Sequence, residues 1–211
     1  MILGLTGGIA CGKSVAGRTL GEQGVWVLDA DEVSHYLTNY ETSVIDAVVA
    51  AFGPGILSEH GQIDRRALAD RVFAHPPERA KLEQILHPPI KEVLANVIHY
   101  GREKGCNIAV IAPLLIEANF QDMVDIIWVI SSEERLQAKR LRNMYGFSDI
   151  EAYRRINAQL PLREKEAYAD YVLLNNGSLE DFKRQLLDTW EQTVKDFAKR
   201  KMPRAQGKQK V

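Results

Sequence analysis

The sequence predicts an α/β fold, a five-stranded parallel sheet flanked by helices, on three observations. Five short apolar runs are each bounded by turn or polar residues. Amphipathic segments with helical spacing alternate with them. The first run opens directly onto a glycine-rich turn that leads into a helix, the arrangement that builds an anion hollow at a helix N-terminus.

Composition sets the frame for that fold. The chain has 211 residues, 45% hydrophobic and 26% charged, close to the globular average, which excludes wholesale disorder. A chain of this size buries a full core without metal or disulfide staples. Its 27 Lys and Arg offset 28 Asp and Glu, so no global basic field draws it to nucleic acid or to an anionic membrane. The longest apolar runs are far too short to span a bilayer. The opening MILGLTGG has neither the basic start nor the long apolar stretch of a signal peptide. Two cysteines, Cys11 and Cys106, cannot make a disulfide framework and point to a reducing compartment. The expectation is a cytoplasmic globular protein, monomeric or weakly homo-oligomeric, with no nucleic-acid or membrane partner.

The first run, residues 2–6, ends in Gly7-Gly8, and the helix after it carries Val15 and Leu20 on its apolar face. The second, 25–28, ends in the acidic triplet Asp29-Ala30-Asp31. The third, 107–112, is closed by Pro113, and the fourth is 126–130. The fifth, 171–174, is closed by Asn175-Asn176-Gly177. Runs apolar throughout suit strands buried on both faces. Between the second and third lie roughly eighty residues that read as entirely helical, too many for one crossover. They form an expected inserted helical subdomain, residues 32–104. A second insertion, 133–168, is rich in Arg and Lys. The core is then 1–31, 105–132 and 169–200, and residues 201–211 read as a flexible, solvated basic tail.

The strongest signal is Gly7-Gly8-Ile9-Ala10-Cys11-Gly12-Lys13-Ser14, which fits G-x-x-x-x-G-K-[ST] in full. Glycines let the backbone curl so that consecutive N–H groups face one anion-sized hollow. The following helix adds the positive end of its dipole. Lys13 is expected to reach the β- and γ-phosphates of ATP, and the Ser14 hydroxyl to ligate the Mg²⁺ that bridges them. Gly8, Ile9, Ala10, Cys11, Gly12, Lys13, Ser14 and Val15 are therefore the candidate ATP-binding residues. Cys11 is either a small residue tolerated in a crowded turn or a thiolate stabilised by nearby amides and the helix N-terminus.

The type of nucleotide site is narrowed by what surrounds it. No N-K-x-D guanine-reading motif and no L-S-G-G-Q signature occurs, which argues against GTPase switches and ABC-type ATPases. Asp29 and Asp31 instead stand at the C-terminal end of the second run, the edge where open α/β sheets bind ligands. A carboxylate there can accept a proton from an acceptor hydroxyl or hold a Mg²⁺ water. One of the two can equally cap the next helix. The five histidines have no metal-ligand spacing, so a structural zinc is not expected.

The chain resembles the dephospho-CoA kinases along almost its whole length. The resemblance runs from Leu5-Thr6-Gly7-Gly8-Ile9 through Asp29-Ala30-Asp31, Phe52-Gly53, Gly61-Gln62-Ile63-Asp64-Arg65 and Arg71-Val72-Phe73. It continues through His87-Pro88, Pro113-Leu114-Leu115-Ile116-Glu117, Ala169-Asp170 and Asn175-Asn176-Gly177. The resemblance implies a P-loop NTPase core with a five-stranded parallel sheet, a helical CoA-binding insertion and a mobile lid. It implies transfer of the ATP γ-phosphoryl group to the 3′-hydroxyl of dephospho-CoA, with Asp31 as general base. Asp29 then supports the Mg²⁺ shell or the turn. Arg65, His87, Leu114, Leu115 and Glu117 become candidate contacts to dephospho-CoA, although His87 before Pro88 can also cap a helix. Arg140 matches a lid arginine that acts on the transferring group, and Asn175 belongs to the turn beside the adenine. The family typically has another arginine where this chain has Met144, which leaves Arg142, Arg154 or Arg155 as replacements, or a weaker lid. The phosphate loop also departs, with Ala10 and Cys11 where Gly and Ser are usual. Two other readings share the loop: a nucleoside or nucleotide kinase with another acceptor, and a module that holds ATP without transferring phosphate, kept open by Met144.

Overall fold

The computed structural model describes residues 1–201, so most of the expected basic tail lies outside the described residues. Five strands form one all-parallel sheet: β1 (Ile2–Gly7), β2 (Trp26–Asp29), β3 (Ile108–Ile111), β4 (Ile126–Ser131) and β5 (Tyr171–Leu174). Their spatial order is β2-β3-β1-β4-β5. Register pairs Leu5 with Ile111 and with Trp128, and Asp29 with Ile111. The strands therefore finish along one edge.

The helices are α1 (Lys13–Glu22), α2 (Ala30–Tyr40), α3 (Thr42–Phe52), α4 (Arg65–Ala74), α5 (Pro76–Glu103), α6 (Glu134–Tyr145), α7 (Asp149–Ile156), α8 (Leu162–Glu166) and α9 (Leu179–Lys201). Side chains alternate across the sheet as strand geometry requires. Leu3, Leu5, Ala109, Ile111, Trp128 and Ile130 point to one face, where Ala16 and Leu20 of α1 and Phe182 and Leu186 of α9 cover them. Ile2, Ile108, Val110 and Ala112 share a core on the other side with Leu94 and Ile98 of α5 and with Val48 and Phe52 of α3. The helices between β2 and β3 thus pack as one body with the sheet. A small third cluster of Ala138, Leu141 and Ala152 joins α6 to α7.

Three details differ from the sequence reading. Burial on both faces holds for β1, β3 and almost all of β4, but β2 and β5 are sheet edges, and Trp26, Val27, Val172 and Leu174 stay substantially exposed. The block between β2 and β3 includes one non-helical excursion, where Leu57 bridges Ile63. Pro88 and Pro89 lie inside α5 rather than at a helix start, so His87 caps nothing. Two prolines remove two helical N–H donors, yet the helix continues because Ile90, Leu94 and Ile98 after them are locked in the core.

Candidate active site

Each strand delivers one piece of the site at the C-terminal edge of the sheet: Gly7 from β1, Asp29 from β2, Pro113 just past β3, Ser131 from β4 and Asn175 just past β5. Between Gly7 and α1 the backbone demands glycine twice. Gly7 has φ +141°, and a Cβ there would sit 2.1 Å from the Ile130 carbonyl oxygen. Gly12 has φ +106°, and its Cβ would meet Asn175 Nδ2 at 2.5 Å. Gly12 is also the N-cap of α1, with no side-chain cap and no acid in the first turn. The first N–H groups of α1 are left to an anion.

Ala10 takes a left-handed conformation at φ +59°, where a Cβ is strained. Ala10→Gly is expected to stabilise the protein by up to about 1 kcal/mol, less what the unfolded chain gains in freedom. Thermal unfolding should show the midpoint rising by about 1–3 °C, and an unchanged or lower midpoint counts against strain at Ala10.

Lys13 Nζ donates to the carbonyls of Gly7 at 3.0 Å and Gly8 at 2.8 Å, so the ammonium lies folded into the loop. Burial pushes its pKa down to about 8, with Lys165 adding to the fall and Asp31 and Asp29 opposing it. Cys11 has no exposed surface, and burial pushes its thiol up to about 11. The cysteine is a neutral packing residue, which removes the thiolate alternative.

Behind the loop, Asn175 Nδ2 donates to the Cys11 carbonyl at 2.8 Å. Arg140, reaching from α6, donates to the Ala10 carbonyl at 3.2 Å and the Asn175 carbonyl at 2.8 Å. Arg140 and Asn175 together clamp the loop to the end of β5.

In front of the loop lies a cleft of about 480 Å³. Ile9, Ala10, Lys13 and Ser14 form its floor, and Asp31, His87 and Leu114 stand in its walls. Asp29 caps α2 by accepting a hydrogen bond from the Asp31 N–H at 2.8 Å, which places Asp31 in the first turn of that helix. One face of α5 lines the opposite wall: Arg79, Leu82, Glu83, Leu86, His87 and Ile90. That spacing is a continuous helical stripe. His87 packs edge-on to Phe120 at 5.9 Å, and burial holds its imidazole below the usual histidine range.

Comparison with known proteins agrees with this geometry. The family model for CoaE, dephospho-CoA kinase, matches residues 1–181. The dephospho-CoA kinase of Geobacter sulfurreducens is 41% identical over 190 residues, covering 90% of this chain and 96% of that protein. That of Geobacillus kaustophilus is 40% identical over 188 residues, covering 89% and 94%. The chain belongs to the dephospho-CoA kinase family. A solved dephospho-CoA kinase from Campylobacter jejuni has the same fold, with a TM-score of 0.69 at 23% identity over 92% of this chain and 98% of that one.

Around Met144 stand the three arginines, Arg142, Arg154 and Arg155, that the sequence offers in place of a lid arginine. Met144 is 66% exposed. Arg142 points to Asp149 at 2.5 Å, and Arg154 lies on the exposed side of α7. Arg155 is the one of the three that lines the cleft. Its guanidinium lies 4.3 Å over the Phe147 ring, which stacks on Tyr145 at 5.3 Å, and Tyr145 lines the cleft too. A capping box between Ser148 and Glu151 fixes the start of α7 and with it the direction of Arg155.

Other positions fall outside the cleft. Gly8 lies behind it against Gln137, Val15 on α1 packs against the core under the sheet, and Leu115 is fully buried under Gly4. Glu117 turns away from the cleft toward Lys165 at 2.8 Å. The Arg65 side chain lies outside the described residues. Residues that sequence reasoning missed are Arg79, Tyr145 and Lys165. Arg79 was detectable from the stripe it shares with His87, and it crosses to the Ala158 carbonyl at 2.8 Å. Among the described residues, no helix is long and apolar enough to cross a membrane.

Proposed function

We propose that the chain transfers the γ-phosphoryl group of ATP to the 3′-hydroxyl of dephospho-CoA, forming coenzyme A in the cytoplasm as a monomer or weak homo-oligomer. The observation that carries this reading is the single cleft in which Lys13 and Ser14 face Asp31 and the α5 stripe. ATP phosphates occupy the loop, held by its N–H groups, the α1 dipole and Lys13. Ser14, with Asp31 nearby, offers the hard oxygen ligands that Mg²⁺ takes, while Asp29 holds the turn that presents Asp31, and the ion when bound would neutralise charge on the β- and γ-phosphates.

Dephospho-CoA lies along the α5 stripe and the Pro113–Leu114 turn, with residues 32–104 serving as its binding region. Arg79 and Arg155 are the cations placed to meet its diphosphate and the transferring group. Asp31 accepts the proton of the attacking hydroxyl, which transfer in line requires. Residues 133–168 act as the lid, and Arg155 stands in for the arginine absent at Met144. Arg140 and Asn175 hold the loop in shape.

Incubating the protein with Mg·ATP and dephospho-CoA, and separately with adenosine, AMP and uridine, tests the reading by product mass. Coenzyme A from dephospho-CoA alone is expected. A phosphorylated nucleoside without coenzyme A moves the acceptor, and ATP binding without any product makes the chain a binding module.

A further inference from the structure

Lys165 on α8 has no exposed side-chain surface. Its Nζ donates to the Pro113 carbonyl at 2.5 Å and to Glu117 Oε1 at 2.8 Å. The Pro113 carbonyl also accepts from Thr6 Oγ1 at 3.2 Å, and Glu117 Oε1 from the Leu160 N–H at 3.0 Å. Glu117 Oε2 is buried with no hydrogen-bond partner. One ammonium therefore ties together three segments. Thr6 directly precedes the phosphate loop, Pro113 begins the turn that supplies Leu114 to the cleft, and Leu160 follows Ala158 and Gln159, which line the cleft from the lid side.

A buried ion pair is a poor source of stability, because the cost of desolvating both charges consumes most of their attraction. Hydrophobic residues of similar volume often serve as well. The pair is better explained by what it holds in place. We infer that the Lys165–Glu117 pair is a positioning device, fixing the Pro113–Leu114 wall to the lid's return segment so that the acceptor hydroxyl, and not water, sits against the γ-phosphate. The inference rests on the kinase reading above. A displacement of about 1 Å at a reacting pair costs on the order of a hundredfold in rate. A loosened wall also admits water, which turns transfer into hydrolysis.

The test is the double variant Lys165→Met/Glu117→Leu, assayed for ADP and coenzyme A together. The protein should stay folded with unchanged ATP affinity, kcat for coenzyme A should fall roughly tenfold to a hundredfold, and ADP formed per coenzyme A should rise well above one. A folded double variant with wild-type kcat and an unchanged ratio overturns the inference. Glu117→Gln, which keeps volume and shape, provides a second measurement if the double variant fails to fold. It should move the same ratio in the same direction by a smaller factor, and an unchanged ratio there also overturns the inference. Wild-type protein that makes no coenzyme A overturns the kinase reading instead, so the two failures are distinct.

Discussion

Asp31→Asn is expected to lower kcat for coenzyme A formation by about 10²–10⁴-fold while ATP affinity stays within a few-fold. Asp31 lies in the first turn of α2, with its N–H held by Asp29, and its side chain enters the cleft facing Lys13. Asparagine keeps the size and can still accept a hydrogen bond, but it cannot take a proton at neutral pH. The ribose hydroxyl then loses its proton to water, a far poorer route inside a closed cleft. If Asp31 served only to orient the hydroxyl, the amide oxygen would do nearly as well and the loss would be about tenfold or less. Asp29→Asn is the matched control. Its carboxylate works as an N-cap, and asparagine caps as well as aspartate, so kcat should change far less. Equal losses in both variants would mean that total negative charge matters and that neither residue is a specific base.

The sheet and the phosphate loop were readable because their signals are local. Five apolar runs marked five strands, and the glycines at 7 and 12 announced backbone conformations that other residues cannot adopt. Edge strands escaped the two-faced burial rule, because Trp26 and Val172 look like core residues until the neighbouring strand is known to be absent on one side. His87 before Pro88 offered a helix cap, but the helix runs straight through Pro88 and Pro89, because burial of the turns beyond them outweighs two lost hydrogen bonds. The site's second layer was illegible for a different reason. Lys165 sits among many lid cations of identical local appearance, and only the fold separates a fully buried ammonium from a solvated one, just as only the fold picks Arg155 out of the three arginines the sequence offered. Glu117 and Leu115 stand in a motif that resembles a substrate wall. The turn after β3 presents Leu114 to the cleft and turns the next side chains inward, a three-dimensional fact without a periodic signature.

Lys13→Met is expected to cost at least about 10²–10³-fold in kcat, the usual loss when one preorganised donor to a developing anion is removed. Its pH behaviour gives a sharper test of the same ammonium. In the free protein burial holds Lys13 at about 8, and its donors rest on the carbonyls of Gly7 and Gly8. On the proposed function, ATP would replace those carbonyls with phosphate oxygens, whose charge would raise the pKa in the complex. Binding must then take up a proton wherever the free lysine is partly neutral, that is, above about pH 8. Affinity falls as pH rises through that window, by about tenfold between pH 7 and pH 9, and is nearly flat below pH 7. The same depressed pKa makes the empty protein gain stability between about 8 and the unfolded value of 10.5, since the unfolded chain holds the proton more tightly there. Calorimetry of Mg·ATP binding at pH 8.5, in two buffers of different ionisation enthalpy, should register uptake of about 0.8 proton per ATP. Lys13→Met should register none and bind more weakly. Equal uptake in both proteins would place the proton on another group and leave the lysine charged throughout.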